Sequence, residues 1–143
     1  MKIVVWDSLK PTAQSLLKAA RKCRENAYAP YSNYLVGAAV LSENGKIFSG
    51  CNVETATFSQ TTHAERAAIV AMVVDGEIEI KALACVGIDS GPPCAECRQV
   101  IWEFCNGNPD VSIISADADF KDIRIYTVAE LYPFPFGPKD LGQ

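Results

Sequence analysis

The chain contains a single histidine, His63, so any chemistry that needs an imidazole must use that residue. Long apolar runs are also missing. No stretch approaches the roughly 18 uncharged apolar residues of a membrane-spanning helix, which removes a helical membrane protein from consideration. The first residues, Met1 to Asp7, lack the extended apolar segment of a secretion signal, and the cytoplasm is the expected location. Basic charge is scarce: 13 Lys and Arg stand against 17 Asp and Glu, for a net charge of −4. The longest basic cluster is Arg21-Lys22-Cys23-Arg24. A groove that tracks a polynucleotide needs a broad basic surface to neutralise phosphates, so small substrates are expected rather than nucleic acid polymers. Internal repeats and low-complexity segments are absent too.

What remains is a chain of 143 residues that is 49% hydrophobic, enough for a core, and one domain over residues 1–143 is expected. Its six cysteines, Cys23, Cys51, Cys85, Cys94, Cys97 and Cys105, have no secretory context to favour disulfides. Cys23, Cys51, Cys85 and Cys105 lie among apolar or small residues and read as buried hydrophobes.

Apolar residues recur at helical steps from Thr12 to Ala27, and Ala29-Pro30-Tyr31-Ser32-Asn33 breaks that pattern. Val36 to Leu41 and Ile47 to Val53 are strands around an Asn44-Gly45 turn, so an antiparallel hairpin is expected. A helix over residues 62–74, a strand over 82–88, a helix over 94–104 and strands over 111–115 and 123–127 follow. A short helical turn over 128–131 precedes an irregular tail over 133–143. Alternating strands and helices in this part imply parallel crossovers, whereas the hairpin is antiparallel. The fold class is therefore α/β, a three-layer α/β/α domain with a mixed, mostly five-stranded sheet.

Two clusters carry the chemistry. His63-Ala64-Glu65 opens one helix, and Pro93-Cys94-Ala95-Glu96-Cys97 opens the next. Cysteines three apart on a helix share a face, and the helix N-terminus favours thiolate. Three ligands leave zinc an open position for water, as in catalytic rather than structural sites. Glu65 is placed as proton carrier and not as ligand. Alternatively, Cys51 or Cys85 completes four ligands and the metal is purely structural, in a protein-interaction module. His-x-Glu followed by Pro-Cys-x-x-Cys is the general signature of zinc deaminases.

Additional segments narrow the resemblance: Tyr28-Ala29-Pro30-Tyr31-Ser32, Val36-Gly37-Ala38-Ala39, Gly50-Cys51-Asn52-Val53-Glu54, Cys97-Arg98-Gln99 and Phe136-Gly137-Pro138-Lys139-Asp140-Leu141. Together they resemble the cytidine deaminases that act on free nucleosides. The resemblance implies one zinc per chain on His63, Cys94 and Cys97, with Glu65 catalytic in hydrolysis of cytidine and deoxycytidine to uridine and deoxyuridine, a pyrimidine salvage reaction. It implies that Asn52 and Glu54 bind ribose, Tyr34 packs against the base, and the Ala64 N–H meets the pyrimidine carbonyl. Phe136 matches a tail aromatic that reaches an active site shared between subunits, in a homo-oligomer for which a homotetramer is favoured and a homodimer is the alternative.

Certain positions depart from the family pattern. Short chains of this kind usually carry Cys where His63 stands, with an arginine at the position of Arg66 to offset the extra thiolate charge. Thr55-Ala56-Thr57-Phe58-Ser59-Gln60 replaces the usual Asn-Ala-x-Tyr-Gly-Leu, and Pro92 replaces a small hydroxyl residue. A modified cytosine nucleoside, or an aminoacyl nucleoside like blasticidin S, is the alternative substrate.

Overall fold

The computed structural model describes residues 1–142. Its six-stranded sheet has the order β1-β6-β5-β4-β2-β3, where β1 is Lys2–Val4, β2 Gly37–Ser42, β3 Ile47–Cys51, β4 Ile80–Gly87, β5 Ser112–Asp117 and β6 Ile123–Thr127. The helices are α1 (Pro11–Arg24), α2 (Ala64–Val74), α3 (Ala95–Glu103) and α4 (Val128–Leu131). The expected hairpin is β2 and β3, turned at Gly45, whose φ of 84° lies in the left-handed region that glycine tolerates.

The expected sheet of five strands has a sixth. β1 pairs antiparallel with β6 and is a short, mostly exposed edge strand. Three residues are too few to display an alternating pattern, so Ile3 and Val4 gave no strand signal.

Both faces of the sheet are covered. Along β2 and β4, Ala38, Val40, Leu83 and Cys85 pack with Ile69 and Met72 of α2 and Ile101 of α3. The alternate residues Ala39, Leu41, Ala84 and Val86 pack with Leu16, Leu17 and Ala20 of α1. This period of two against helices on either side is the three-layer arrangement. Full burial of each Leu, Ile or Met contributes about 1.5–3 kcal/mol.

β4 pairs parallel with β5 and antiparallel with β2, and β2 is antiparallel to β3. Strands β3, β4 and β5 therefore run the same way, as the strand–helix alternation predicts. The consequence for the site is geometric. The segment after β3 that leads to α2, the segment after β4 that leads to α3, and the loop entering β2 all lie at one end of the sheet.

Close approach of helices to the sheet depends on two glycines. A Cβ on Gly37 would sit 2.0 Å from the Ala20 carbonyl oxygen of α1, and one on Gly50 would sit 2.4 Å from the Ala68 nitrogen of α2. Both obstacles are backbone and cannot rotate away. Gly37→Ala is expected to destabilise by about 3 kcal/mol and to lower Tm by roughly 10 °C, measured by thermal unfolding.

Candidate active site

His63 is the N-cap of α2, not part of its first turn, with extended backbone (φ −79°, ψ 151°), and its carbonyl accepts the Ala67 N–H at 2.9 Å. Cys94 is likewise the N-cap of α3, its carbonyl accepting the Arg98 N–H at 3.0 Å. Pro93 follows Pro92 and disfavours helix there, so α3 starts where the cysteines are needed. In neither cap does the side chain bond back to its own helix. The imidazole and the thiol are thereby left to face each other across the α2–α3 junction.

His63 Nδ1 lies 3.2 Å from Cys94 Sγ and 3.3 Å from Cys97 Sγ. All three donor atoms fall within 4.8 Å of one another. Donors on one tetrahedral ion at about 2.0–2.3 Å lie about 3.3–3.8 Å apart, close to the two His63-to-sulfur distances, and two sulfurs with an imidazole nitrogen suit zinc in softness. Among the described residues the group comprises only these three. Cys85 lines the neighbouring cavity but stands outside the group, bonded instead to Ser115 Oγ at 3.3 Å. A closed four-ligand site on Cys51 or Cys85 finds no support in this arrangement.

Glu65 is buried, with Oε2 3.4 Å from Cys97 Sγ. Burial pushes the Cys97 thiol well above its usual range, and the Glu65 and Cys94 side chains push it further. The helix N-terminus alone predicts the opposite direction. Desolvation outweighs the dipole here, and only a cation at the three donors would reverse the balance. Arg66 does not take that part: its Nη2 donates to the Thr61 carbonyl at 3.0 Å and lies 3.7 Å from Glu96.

A cavity of about 420 Å³ opens above these groups. Tyr34, Asn52, Glu54, Ala64 and Glu65 all line it, together with His63 and Cys94. Ala64 is the first residue of α2, so its N–H has no acceptor within the helix. Asn52 is mostly committed to the backbone, with Oδ1 accepting Val36 N–H and Nδ2 donating to Tyr34 C=O, each at 2.8 Å. Glu54 accepts from Tyr31 N–H at 2.9 Å and also from the Ser32 hydroxyl, which lowers its pKa.

Phe136 lies elsewhere. It is 56% exposed, does not line the cavity, and offers its carbonyl to Gln99 Nε2 of α3 at 2.9 Å. The exposed Phe58, in the divergent 55–60 segment, stacks edge-on against Tyr31 with ring centroids 5.5 Å apart. Two further wall residues, Cys85 and Asp89, were not singled out from sequence as part of the pocket. The alternation along β4 carried a signal for Cys85, because it shares the α2-facing side with Leu83. No such signal marks Asp89.

Comparison with known proteins converges on one group. A family model described as the cytidine and deoxycytidylate deaminase zinc-binding region matches residues 10–113. A cytidine deaminase of Sporosarcina psychrophila is 45% identical over 131 residues, covering 90% of this chain and 94% of the relative. A cytidine deaminase of Halalkalibacterium halodurans is 38% identical, covering 91% of this chain and 98% of the relative. The crystal structure of cytidine deaminase from Burkholderia pseudomallei superposes with a TM-score of 0.79 at 39% identity, over 90% of this chain and all of that one.

The donor set predicts one zinc per chain by elemental analysis, lost in Cys97→Ala and His63→Ala while the secondary structure by circular dichroism persists. Since Cys97 must surrender a proton that burial retains, zinc affinity is expected to rise with pH and to fall on acidification.

Proposed function

The chain belongs to the cytidine and deoxycytidylate deaminase family, and we propose that it deaminates cytidine and deoxycytidine hydrolytically, giving uridine and deoxyuridine with release of ammonia. The observation that carries this reading is the set of three donor atoms within 4.8 Å of one another at the base of a nucleoside-sized cavity, with Glu65 beside them.

In this reading His63, Cys94 and Cys97 hold zinc. Zinc bound there supplies the Lewis acidity that makes water nucleophilic near neutral pH. Glu65 receives a proton from the attacking water and passes it to the ring nitrogen next to C4. Once the C4–O bond has formed, the same carboxylate takes the second proton from that oxygen and gives it to the exocyclic amine, whose bond to C4 breaks as the carbonyl forms and ammonia leaves. A proton carrier so placed contributes about 10²–10⁴-fold.

The cavity walls orient the substrate. The Ala64 N–H, free of helix bonding, donates to the pyrimidine carbonyl. Asn52 has one amide proton left after its two backbone contacts, and that proton, with Glu54, meets the ribose hydroxyls. Tyr34 flanks the base. Glu54, Glu65 and Asp89 give the lining three carboxylates and no lysine or arginine, which suits a neutral nucleoside better than a phosphorylated one or a polynucleotide. An acidic wall is equally compatible with a cationic aminoacyl nucleoside, the second reading.

The chain works as a homo-oligomer in this account, a homotetramer in which Phe136 closes the cavity of a neighbouring copy. Its exposure, with that of Phe134 at 93% and of Val70 and Val74 on α2, supports such a contact. The reading also places the protein in the cytoplasm, with a nucleoside as its small-molecule substrate. No helix among the described residues is long and apolar enough to cross a membrane.

The zinc-loaded protein is expected to convert both nucleosides with loss of the cytosine absorbance and stoichiometric ammonia. Glu65→Gln should keep its zinc and lose about 10³-fold in kcat. Absence of turnover on either nucleoside would refute the reading, and full activity in Glu65→Gln would refute the proton carrier.

A further inference from the structure

The loop 31–36, which enters β2, is secured on one side by Asn52 and Glu54, both near the end of β3. Its other side has a separate attachment. The Tyr34 hydroxyl donates to Asp89 Oδ1 at 3.0 Å, across the cavity, linking this loop to the one between β4 and α3. Gly87 leaves room for the phenol, since a Cβ there would stand 3.3 Å from the Tyr34 hydroxyl.

Asp89 is itself held in place. Its Oδ1 also accepts the Gly91 N–H at 3.0 Å. The adjacent Ser90 is buried and donates to Asp122 Oδ2 at 2.5 Å, and Asp122 in turn pairs with Arg124 at 2.7 Å. The acceptor therefore sits on a loop anchored to the start of β6, and the movable partner is the tyrosine. Within its own loop the Tyr34 N–H is bonded to Ser32 Oγ at 3.0 Å, which holds the backbone at the root of the ring and leaves the ring's own torsions to the hydroxyl contact.

We propose that Asp89 is a positioning residue for the reaction, acting through the Tyr34 hydroxyl to fix the aromatic wall against which the pyrimidine ring is held. A phenylalanine in the place of Tyr34 would supply the same ring with nothing to stop its rotation. The latch thus acts on substrate binding and leaves the bond-making step to the groups at the base of the cavity. Burial, and next the bond to Asp89, raise Tyr34 to a pKa of about 12, so the phenol keeps its donor proton throughout the working pH range. The inference rests on the nucleoside reading given above.

Steady-state kinetics on cytidine with Tyr34→Phe, Asp89→Ala, Asp89→Asn and the double variant Tyr34→Phe/Asp89→Ala test it. Loss of one hydrogen bond to an exposed carboxylate predicts a KM raised about fivefold in Tyr34→Phe and in Asp89→Ala, with kcat within about twofold of the parent. The double variant should be no worse than either single one, because both remove the same bond. Asp89→Asn, which keeps an oxygen acceptor, should recover most of the KM. An unchanged KM in Tyr34→Phe, or effects that multiply in the double variant, would overturn the latch.

Amide hydrogen exchange supplies a readout that needs no substrate. Exchange at Ser32 and Tyr34 should quicken in Tyr34→Phe and Asp89→Ala, and unaltered exchange would contradict the latch. A parent protein inert toward nucleosides whose variants still show the faster exchange would refute the nucleoside reading and the positioning role, while leaving the bond itself in place.

Discussion

A buried thiol and a buried carboxylate lie against each other at the base of the cavity: Cys97 is fully enclosed, and Glu65 stands 3.4 Å away. Burial, with the Glu65 and Cys94 side chains alongside, holds the proton on the Cys97 thiol, so its ionisation calls for a counter-charge. Arg66, the nearest candidate in sequence, is engaged with Thr61 and Glu96 instead. The requirement for positive charge falls on the space between His63 Nδ1, Cys94 Sγ and Cys97 Sγ. A divalent ion held there would supply that charge, and in the proposed reading the carboxylate beside it serves as proton carrier.

The sheet makes that juxtaposition available. Parallel β3 and β4, separated by antiparallel β2, bring the starts of α2 and α3 to one end, and Gly50 lets α2 press against the strands. Using His63 and Cys94 as cap residues turns both side chains off their helix axes and toward each other. The same end receives loop 31–36, so cavity wall and metal donors arise from one topological fact. Asn52 and Glu54 then serve twice, as anchors of that loop and as polar groups facing the cavity.

Much of this was legible in the amino-acid order, because the short spacings inside His63-Ala64-Glu65 and Cys94 to Cys97 fix local geometry before any tertiary contact is known. The α2 and α3 stripes and the strands β2 to β6 announced themselves through periods of 3.6 and 2. Strand β1 did not, having three residues and little burial. Direction was harder to read than existence: the thiolate-favouring helix terminus was visible at Cys97, but the desolvation that overrides it depends on what α2 and β4 bring alongside. The Tyr34–Asp89 bond joins residues 55 positions apart with no local pattern in common, and only the folded loops disclose it.

X-ray absorption at the zinc edge of the purified protein tests most directly for an open zinc site beside a carboxylate that is not a ligand. Two sulfur neighbours, one imidazole nitrogen and one light atom that exchanges with solvent, unchanged in Glu65→Gln, is the predicted shell. Three or four sulfur neighbours, or a light-atom neighbour lost on replacing Glu65, would contradict it.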